Sequence, residues 1–128
     1  MRSDCPVNYA LEMFGDKWTF LVLRDLFQGK RFYKDFKSSK EGIATNILSD
    51  RLKKLEAHGI IESKVYEQLK TKKEYKLTEK GLALIPVLIE MILWSNQFKK
   101  GLAVEDSFII EAKRDRTNLV NKIRNHLQ

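Results

Sequence analysis

Cysteine and histidine are scarce in this sequence: its 128 residues include one cysteine, Cys5, and two histidines, His58 and His126. A single thiol permits no intrachain disulfide and no cysteine-based metal cluster. The histidines lie far apart without a carboxylate-rich pattern around them, and the sequence has no glycine-rich phosphate loop, Gly-x-Ser-x-Gly elbow or His-Glu-x-x-His pair. We therefore expect no metal site, no cofactor and no enzymatic activity.

Proline and long apolar runs are also scarce. The two prolines are Pro6 and Pro86, and the longest strongly apolar stretch, residues 82–94, contains Pro86 and Glu90. A membrane-spanning helix needs about 20 predominantly apolar residues, so this stretch is predicted to be too short. The first six residues lack the apolar core of a signal peptide. With 43% hydrophobic and 32% charged residues, we expect a soluble, cytoplasmic, globular protein without a membrane partner.

Acidic residues are outnumbered, and the excess of positive charge is concentrated. The formal net charge is +7, from 24 Lys and Arg against 17 Asp and Glu. Residues 30–37 carry four bases and one acid, and residues 64–76 carry five lysines and two acids. These two segments therefore hold six of the seven excess charges. Such clustering favours a polyanionic partner such as nucleic acid, with solvated, merely solubilising segments as the alternative.

The segment 42–61 has the pattern most typical of a DNA-reading helix. Its apolar residues, which fall within about a third of a helical wheel, are Ile47, Leu48, Leu52 and Leu55. Gly59 is placed to end the helix in the left-handed conformation. The opposite side offers small polar and basic groups that suit base edges in the major groove; an ordinary solvated face is the alternative. The base-reading candidates are Thr45, Asn46, Ser49 and Lys53.

Two charged residues of this helix, Asp50 and Arg51, lie outside the set of base-reading candidates. Asp50 would repel phosphate, so we expect it to turn aside or to pair with a neighbouring base. Arg51, at the boundary of the open face, fits an internal ion pair as well as it fits a DNA contact.

Apolar spacing and cap residues predict the remaining elements. Helices are expected over residues 6–14, 17–27, 33–38 and from residue 79 onward, with Asp16 and Thr78 as N-caps of the second and the last. Pro86 is expected to bend or break the last of them. Alternating residues 61–66 and 73–77 predict an antiparallel hairpin with a lysine-rich tip. The apolar spacing of residues 102–128 predicts one more amphipathic helix.

This order of elements is that of a winged helix-turn-helix, and the sequence resembles the HxlR-type transcriptional regulators. The matching segments, spread over roughly residues 5–95, are Cys5-Pro6-Val7, Gly15-Asp16-Lys17-Trp18-Thr19, Leu23-Arg24-Asp25-Leu26-Phe27-Gln28-Gly29 with Arg31-Phe32, residues 47–56 with Gly59-Ile60-Ile61, Glu74-Tyr75-Lys76-Leu77-Thr78-Glu79-Lys80-Gly81, and Pro86-Val87-Leu88 with Trp94. The predicted fold is mainly α with a small β-hairpin wing and additional N- and C-terminal dimerisation helices. We place the winged helix-turn-helix, including the long helix after the wing, in residues 1–101 and a dimer-interface helix in 102–128, within a single structural domain.

The resemblance implies a homodimer that binds double-stranded DNA sequence-specifically at a pseudo-palindromic operator and represses or activates transcription. The candidates for phosphate contacts are Lys30, Arg31, Lys34, Lys70, Lys72 and Lys73. The family usually has a proline-containing hairpin where this sequence has residues 67–73, so a more basic wing that contacts chiefly phosphate is expected. The alternative function is a winged-helix module that binds a protein partner without specific DNA binding.

The apolar surface of the terminal helices exceeds what one small core needs, which favours pairing with a second subunit. The dimer-interface candidates are Val7, Leu11, Leu88, Met91, Trp94, Phe108 and Ile109.

Some members of the family sense oxidants or electrophiles through an N-terminal cysteine, and Cys5 matches that position; a small buried interface residue is the alternative. A small-molecule or oxidant effector is therefore an open hypothesis, with Trp18 and Trp94 as candidate pocket residues or, alternatively, core and interface.

Overall fold

A computed structural model describes residues 3–68 and 71–128 of the protein. In chain order, its elements are α1 (Pro6–Phe14), α2 (Lys17–Phe27), α3 (Tyr33–Lys37), α4 (Thr45–Ala57), β1 (Ile61–Val65), β2 (Lys73–Leu77), α5 (Glu79–Leu82), α6 (Ile85–Phe98), α7 (Asp106–Arg114) and α8 (Arg116–Leu127). The predicted fold class, mainly helical with a two-stranded wing, is confirmed.

The described residues form two compact units, Met1–Gly81 and Leu82–Gln128. The first unit contains the helix-turn-helix elements and the wing, and the second contains α6, α7 and α8. The boundary that the sequence suggested at residue 101 stays a prediction.

The core of the first unit forms where the apolar faces of its helices meet the start of β1. α2 packs on α4, and α4 packs on β1. The side chains that are at most 1% exposed in this unit are Leu23, Phe36, Leu48, Leu55, Ile60 and Ile61. Burial of several such side chains, each worth about 1.5–3 kcal/mol, fixes the side of α4 that faces inward and so the side that faces solvent.

The wing is a short antiparallel hairpin that gains a third, one-residue strand. Ile61 lies opposite Leu77 and Val65 opposite Lys73. Phe32 forms an isolated bridge with Glu74, and the Tyr75 amide donates to the Arg31 carbonyl oxygen at 2.7 Å. The connection between α2 and α3 is thereby hydrogen-bonded to β2.

The predicted N-cap Thr78 and the predicted break near Pro86 are both confirmed. The Gly81 amide donates to Thr78 Oγ1 at 3.2 Å, and α5 ends at Leu82 before α6 begins with Pro86 in its first turn. The span Glu79–Phe98 nevertheless has 20 residues, and an 18-residue window within it has a mean hydropathy of 1.4 and is 22% buried. By length and composition alone this longer span could cross a membrane, and the expectation that residues 82–94 are too short to do so stays a prediction.

The C-terminal region contains two helices, α7 and α8, where the sequence predicted one over residues 102–128. The break falls at Asp115, whose backbone is non-helical (φ −149°, ψ 80°) and whose carboxylate accepts from the Asn118 amide at 3.1 Å. An Asp in this position competes with the helical hydrogen bonds and caps the next helix. The spacing of apolar residues does not reveal that competition, so it predicted a single helix. α8 is further tied to α6 by the ion pair of Arg116 with Glu90.

Candidate nucleic-acid interface

The open face of α4 presents the predicted reading residues to solvent. Leu48, Leu52 and Leu55 are at most 2% exposed and hold the inner face. Of the four base-reading candidates, Thr45, Asn46 and Lys53 are exposed and Ser49 is half-buried. The structure therefore brings all four to the side of α4 that faces away from its core.

The N-terminal end of α4 is held by two side chains of α3 that the sequence analysis did not single out. Lys37 Nζ donates to the Ile43 carbonyl oxygen at 2.7 Å. The Tyr33 hydroxyl donates to the Thr45 carbonyl oxygen at 3.2 Å and lies 3.4 Å from Ser49 Oγ. Their spacing of four residues on one short helix was the available signal, since residues four apart share a helical face.

Arg51 serves an internal ion pair. It lies 2.9 Å from Asp16 at the N-cap of α2 and 2.6 Å from Asp50. Asp50 also lies 3.4 Å from Lys54, so the expectation that this acid pairs with a neighbouring base is confirmed. The hydrogen bond from Arg51 lowers the pKa of Asp16 to about 2, and the Thr19 amide, which donates to the same carboxylate, acts in the same direction.

The C-terminal end of α4 is fixed by the segment that follows the wing. Lys80 Nζ donates to the His58 carbonyl oxygen at 2.9 Å, and Thr78 Oγ1 donates to the Gly59 carbonyl oxygen at 2.5 Å. Gly59 has φ 72°, the left-handed conformation that was predicted for it. A cation at the negative end of a helix dipole is stabilising. The carbonyl oxygens of the last turn of α4 accept from the backbone amides that follow the helix: those of Lys54, Leu55 and Glu56 accept from His58, Ile60 and Gly59.

The cations between α2 and α3 are partly paired with acids. Lys30 lies 3.6 Å from Asp25, a carboxylate only 2% exposed. Arg31 Nη1 lies 2.5 Å from Glu74 Oε2 of the wing, and Lys37 is engaged with α4. In the predicted basic segment 30–37, Lys34 and Lys37 are exposed, and Arg31 keeps 57% side-chain exposure.

A second ion-pair cluster fixes the turn that leads into α4. Arg24 bridges Asp25 at 2.8 Å and Glu41 at 2.7 Å. The guanidinium, together with the Ser39 hydroxyl, holds the pKa of the Glu41 carboxyl well below its usual range, while the two carboxylates raise the pKa of Arg24. The cluster connects α2 to the α3–α4 turn and was not anticipated from the sequence.

The lysines of the wing differ in their surroundings. Lys72 Nζ lies 3.9 Å from the centre of the Phe32 ring and 5.6 Å from that of Tyr66, and these two rings meet edge to face at 5.2 Å. Lys73 is exposed. Lys70, another predicted phosphate contact, lies outside the described residues. Lys72 thus makes a cation–π contact that joins the wing to Phe32 of the α2–α3 connection.

The candidates for redox sensing and dimerisation lie mostly at the surface. Cys5 is a free, exposed thiol at the N-cap of α1. The exposed interface candidates are Val7 (65%), Leu11 (59%), Met91 (48%) and Trp94 (68%), whereas Leu88 and Phe108 are half-buried. Ile109 is buried, at 8% exposure, and so packs inside the chain, whereas its apolar neighbour Ile110 is 58% exposed. Within residues 3–68 and 71–128, no cluster of His, Cys, Asp and Glu could hold a metal ion.

Comparison with known proteins identifies relatives of this arrangement. Residues 13–102 match the family described as HxlR-like helix-turn-helix. The chain is 40% identical over 87 residues to the uncharacterized HTH-type transcriptional regulator sll1512 of Synechocystis sp., an alignment that covers 68% of this chain and 64% of that protein. The chain therefore matches slightly less than two thirds of that relative's length.

Two solved structures are similar in fold as well as in sequence. The putative transcription factor PA1607 has a TM-score of 0.72 at 35% identity, covering 81% of this chain and 72% of that one. The redox regulator HypR in its oxidized form has a TM-score of 0.67 at 32% identity, covering 76% of this chain and all of that one. The chain belongs to the HxlR-like helix-turn-helix family of transcriptional regulators.

Proposed function

We propose that the protein is a cytoplasmic homodimer that binds double-stranded DNA sequence-specifically. The observation that carries this proposal is the orientation of α4, whose leucines are buried while Thr45, Asn46 and Lys53 face solvent at one side. A helix about 10–12 Å across fits the major groove. Asn46 suits the N6 and N7 atoms of adenine, and Lys53 suits guanine or a phosphate.

The phosphate contacts in this proposal come from the α2–α3 connection, from α3 and from the wing. Lys34 and Lys73 are exposed, and Arg31 and Lys72 keep part of their surface open beside them. Lys30 and the undescribed Lys70 complete the proposed set. Such contacts set the register of the protein on the duplex and carry no sequence information themselves.

A second copy of the chain is the proposed cover for the exposed apolar side chains of α1 and α6. Trp94 and Phe98, with ring centres 5.5 Å apart, are each about two thirds exposed. Large exposed aromatic side chains of this kind mark interaction surfaces. A homodimer would present two α4 helices, and these would read half-sites about one helical turn apart. Residues 102–128, now seen as α7 and α8, are proposed to contribute to this interface.

Redox control through Cys5 is the finer part of the proposal, and the named redox regulator among the structural relatives supports it. The thiol is exposed at the N-terminus of α1. Since Cys5 is the only cysteine, a disulfide must either join the Cys5 thiols of two chains or form with a small thiol. In the first case diamide takes up the two electrons and two protons that the thiols release. A small-molecule effector is the alternative input.

The test is selection of bound duplexes from a random pool, followed by affinity measurements over a range of salt concentrations. We expect a shared inverted-repeat motif and a steep fall of affinity with salt. Asn46→Ala should change base preference, and Lys53→Ala should weaken binding. Lys113→Ala removes the same charge from an exposed position of α7 that is not among the proposed DNA contacts, and it should change little. Binding that is weak, unselective and insensitive to salt would favour the alternative, a protein-binding winged-helix module.

The redox part needs a separate comparison. Diamide or a quinone should release the wild-type protein from its duplex, and Cys5→Ser should stay bound. Equal release of both proteins would refute sensing by Cys5 and leave the DNA-binding proposal intact.

A further inference from the structure

A single hydroxyl group of α3 contacts α4 where two base-reading candidates lie. Phe36, fully buried, anchors α3 in the core, and Tyr33 lies one turn before it. The Tyr33 hydroxyl oxygen is 3.2 Å from the Thr45 carbonyl oxygen and 3.4 Å from Ser49 Oγ. Ser49 is half-buried on the proposed reading face, so this contact adjoins an atom that could meet a base edge.

The direction of these hydrogen bonds follows from counting protons. A carbonyl oxygen can only accept, so the one proton of the Tyr33 hydroxyl is donated to Thr45. The phenolic oxygen can then only accept from Ser49. The serine hydroxyl also has one proton, and once that proton is directed at Tyr33, the Ser49 oxygen has only lone pairs to offer an outside partner.

We propose that Tyr33 is a specificity-determining residue that makes Ser49 a hydrogen-bond acceptor on the reading face. This inference rests on the proposed DNA-binding function. In the major groove the amino groups of adenine N6 and cytosine N4 are donors, whereas guanine O6 and N7 and thymine O4 are acceptors. At the base that Ser49 faces, the protein therefore prefers adenine or cytosine over guanine or thymine.

The size of the effect follows from the distances. Both contacts are longer than the roughly 2.7–2.8 Å of typical hydroxyl hydrogen bonds, and one neutral hydrogen bond has a small net effect in water. The preference is expected to be about two- to tenfold at one position of each half-site. Tyr33→Phe keeps the ring and removes only the hydroxyl, which frees the Ser49 proton and lets the serine donate as well as accept.

The experiment compares duplexes that carry each of the four bases at every position of the selected half-site. It uses the full-length wild type, Tyr33→Phe, Ser49→Ala and the double variant, with thermal unfolding midpoints as a check on folding. The position read by Ser49 is the one whose discrimination Ser49→Ala abolishes. There, the wild type should favour adenine or cytosine, Tyr33→Phe should accept all four bases more evenly, and the double variant should match Ser49→Ala.

Each other result overturns a defined part of the inference. A uniform loss of affinity in Tyr33→Phe, with base preference unchanged, would mean that the phenol binds a phosphate. Identical profiles for the wild type and Tyr33→Phe, or a wild-type preference for guanine or thymine at the Ser49 position, would refute the acceptor role while leaving DNA binding established. If the wild type shows no selective binding at any position, the proposed function itself fails.

Discussion

Arg31 of the α2–α3 connection lies 2.5 Å from Glu74 of the wing, so a predicted phosphate contact is already paired with an acid of its own chain. Glu74 is 15% exposed and Arg31 is 57% exposed, which leaves the cation partly open to solvent. A phosphate that approaches Arg31 therefore competes with the Glu74 carboxylate.

Replacement of Glu74 by Gln should strengthen DNA binding, because it frees Arg31 from that competition. We expect the affinity for non-specific duplex to rise about three- to tenfold at 0.1 M salt. The slope of log affinity against log salt concentration should become steeper by up to about one unit, which corresponds to one more released counterion. The measurement is a titration of labelled duplex at several salt concentrations. In an Arg31→Ala background the gain should vanish; a gain that persists there would show that Glu74 acts by general repulsion alone.

Lys72 and Lys73, although adjacent, should respond differently to substitution. Lys73 is exposed, so Lys73→Ala should have little effect on the wing. It should reduce the salt slope, which is the slope of log affinity against log salt concentration, by about 0.9. Lys72 lies over the Phe32 ring, so Lys72→Ala should loosen the turn end of the wing by about 0.5–1 kcal/mol.

Hydrogen exchange of the Tyr66 amide, which donates to the Lys72 carbonyl oxygen at 2.7 Å, measures that loosening. Lys72→Met, which keeps the aliphatic stem, separates the charge from the packing. If Tyr66 protection is unchanged in Lys72→Ala and the salt slope falls as in Lys73→Ala, then Lys72 contacts DNA and does not brace the wing.

The Asp16 carboxylate should make the stability of the fold depend on pH in the acid range. Its pKa falls from 3.8 to about 2 on folding, so the folded state favours the ionised form. The contribution is complete above about pH 4 and is lost as the pH falls toward 2. Because the side chain is 44% exposed, solvent screening limits the contribution to about 1 kcal/mol or less.

Two variants separate the charge of Asp16 from its role as an N-cap. Asp16→Asn keeps a capping oxygen and should lose about 0.5 kcal/mol at pH 7. Asp16→Ala also loses the cap and should cost about 1 kcal/mol more. Denaturant unfolding at pH 7, 4 and 2.5 should show the wild-type advantage over Asp16→Asn shrinking with acid; an advantage independent of pH would contradict the assignment of the charge effect to Arg51.

Gly81 should not tolerate even a methyl group. A Cβ at this position would overlap the Ile60 carbonyl oxygen, which is backbone and cannot turn aside. We expect Gly81→Ala to cost about 1–3 kcal/mol, measured as a lower thermal midpoint. Gly59, in contrast, has open space around it and a left-handed backbone, so Gly59→Asn should be tolerated far better than Gly81→Asn. Equal losses at both positions would argue against the close approach at Gly81.

Local signals in the sequence predicted the elements of the first unit because each signal acts within a few residues. Asp16, Gly59 and Thr78 mark helix ends through caps and a left-handed turn. The leucines of α4 show their periodicity directly in the sequence, and their burial followed from it.

The contacts that determine which cations face DNA could not be predicted in the same way. Arg31 and Glu74 are 43 positions apart, and Arg51 and Asp16 are 35 apart. Each charged residue has many potential partners of opposite sign, and only the packing of the elements selects one. The net charge of residues 30–37 was therefore a fair guide to where a polyanion could approach, but a poor guide to which side chains are open to it.

The backbone pairing of Phe32 with Glu74 and of Arg31 with Tyr75 has a consequence for divergence among relatives. It pins the base of the hairpin to the start of the helix-turn-helix, so an insertion beside Thr71 would lengthen the hairpin without moving that base. We expect the far end of the hairpin to vary freely in length and charge among related regulators. Related regulators would then keep the same placement of α4 on the operator, while the affinity that the wing adds for the DNA backbone would differ from one regulator to another.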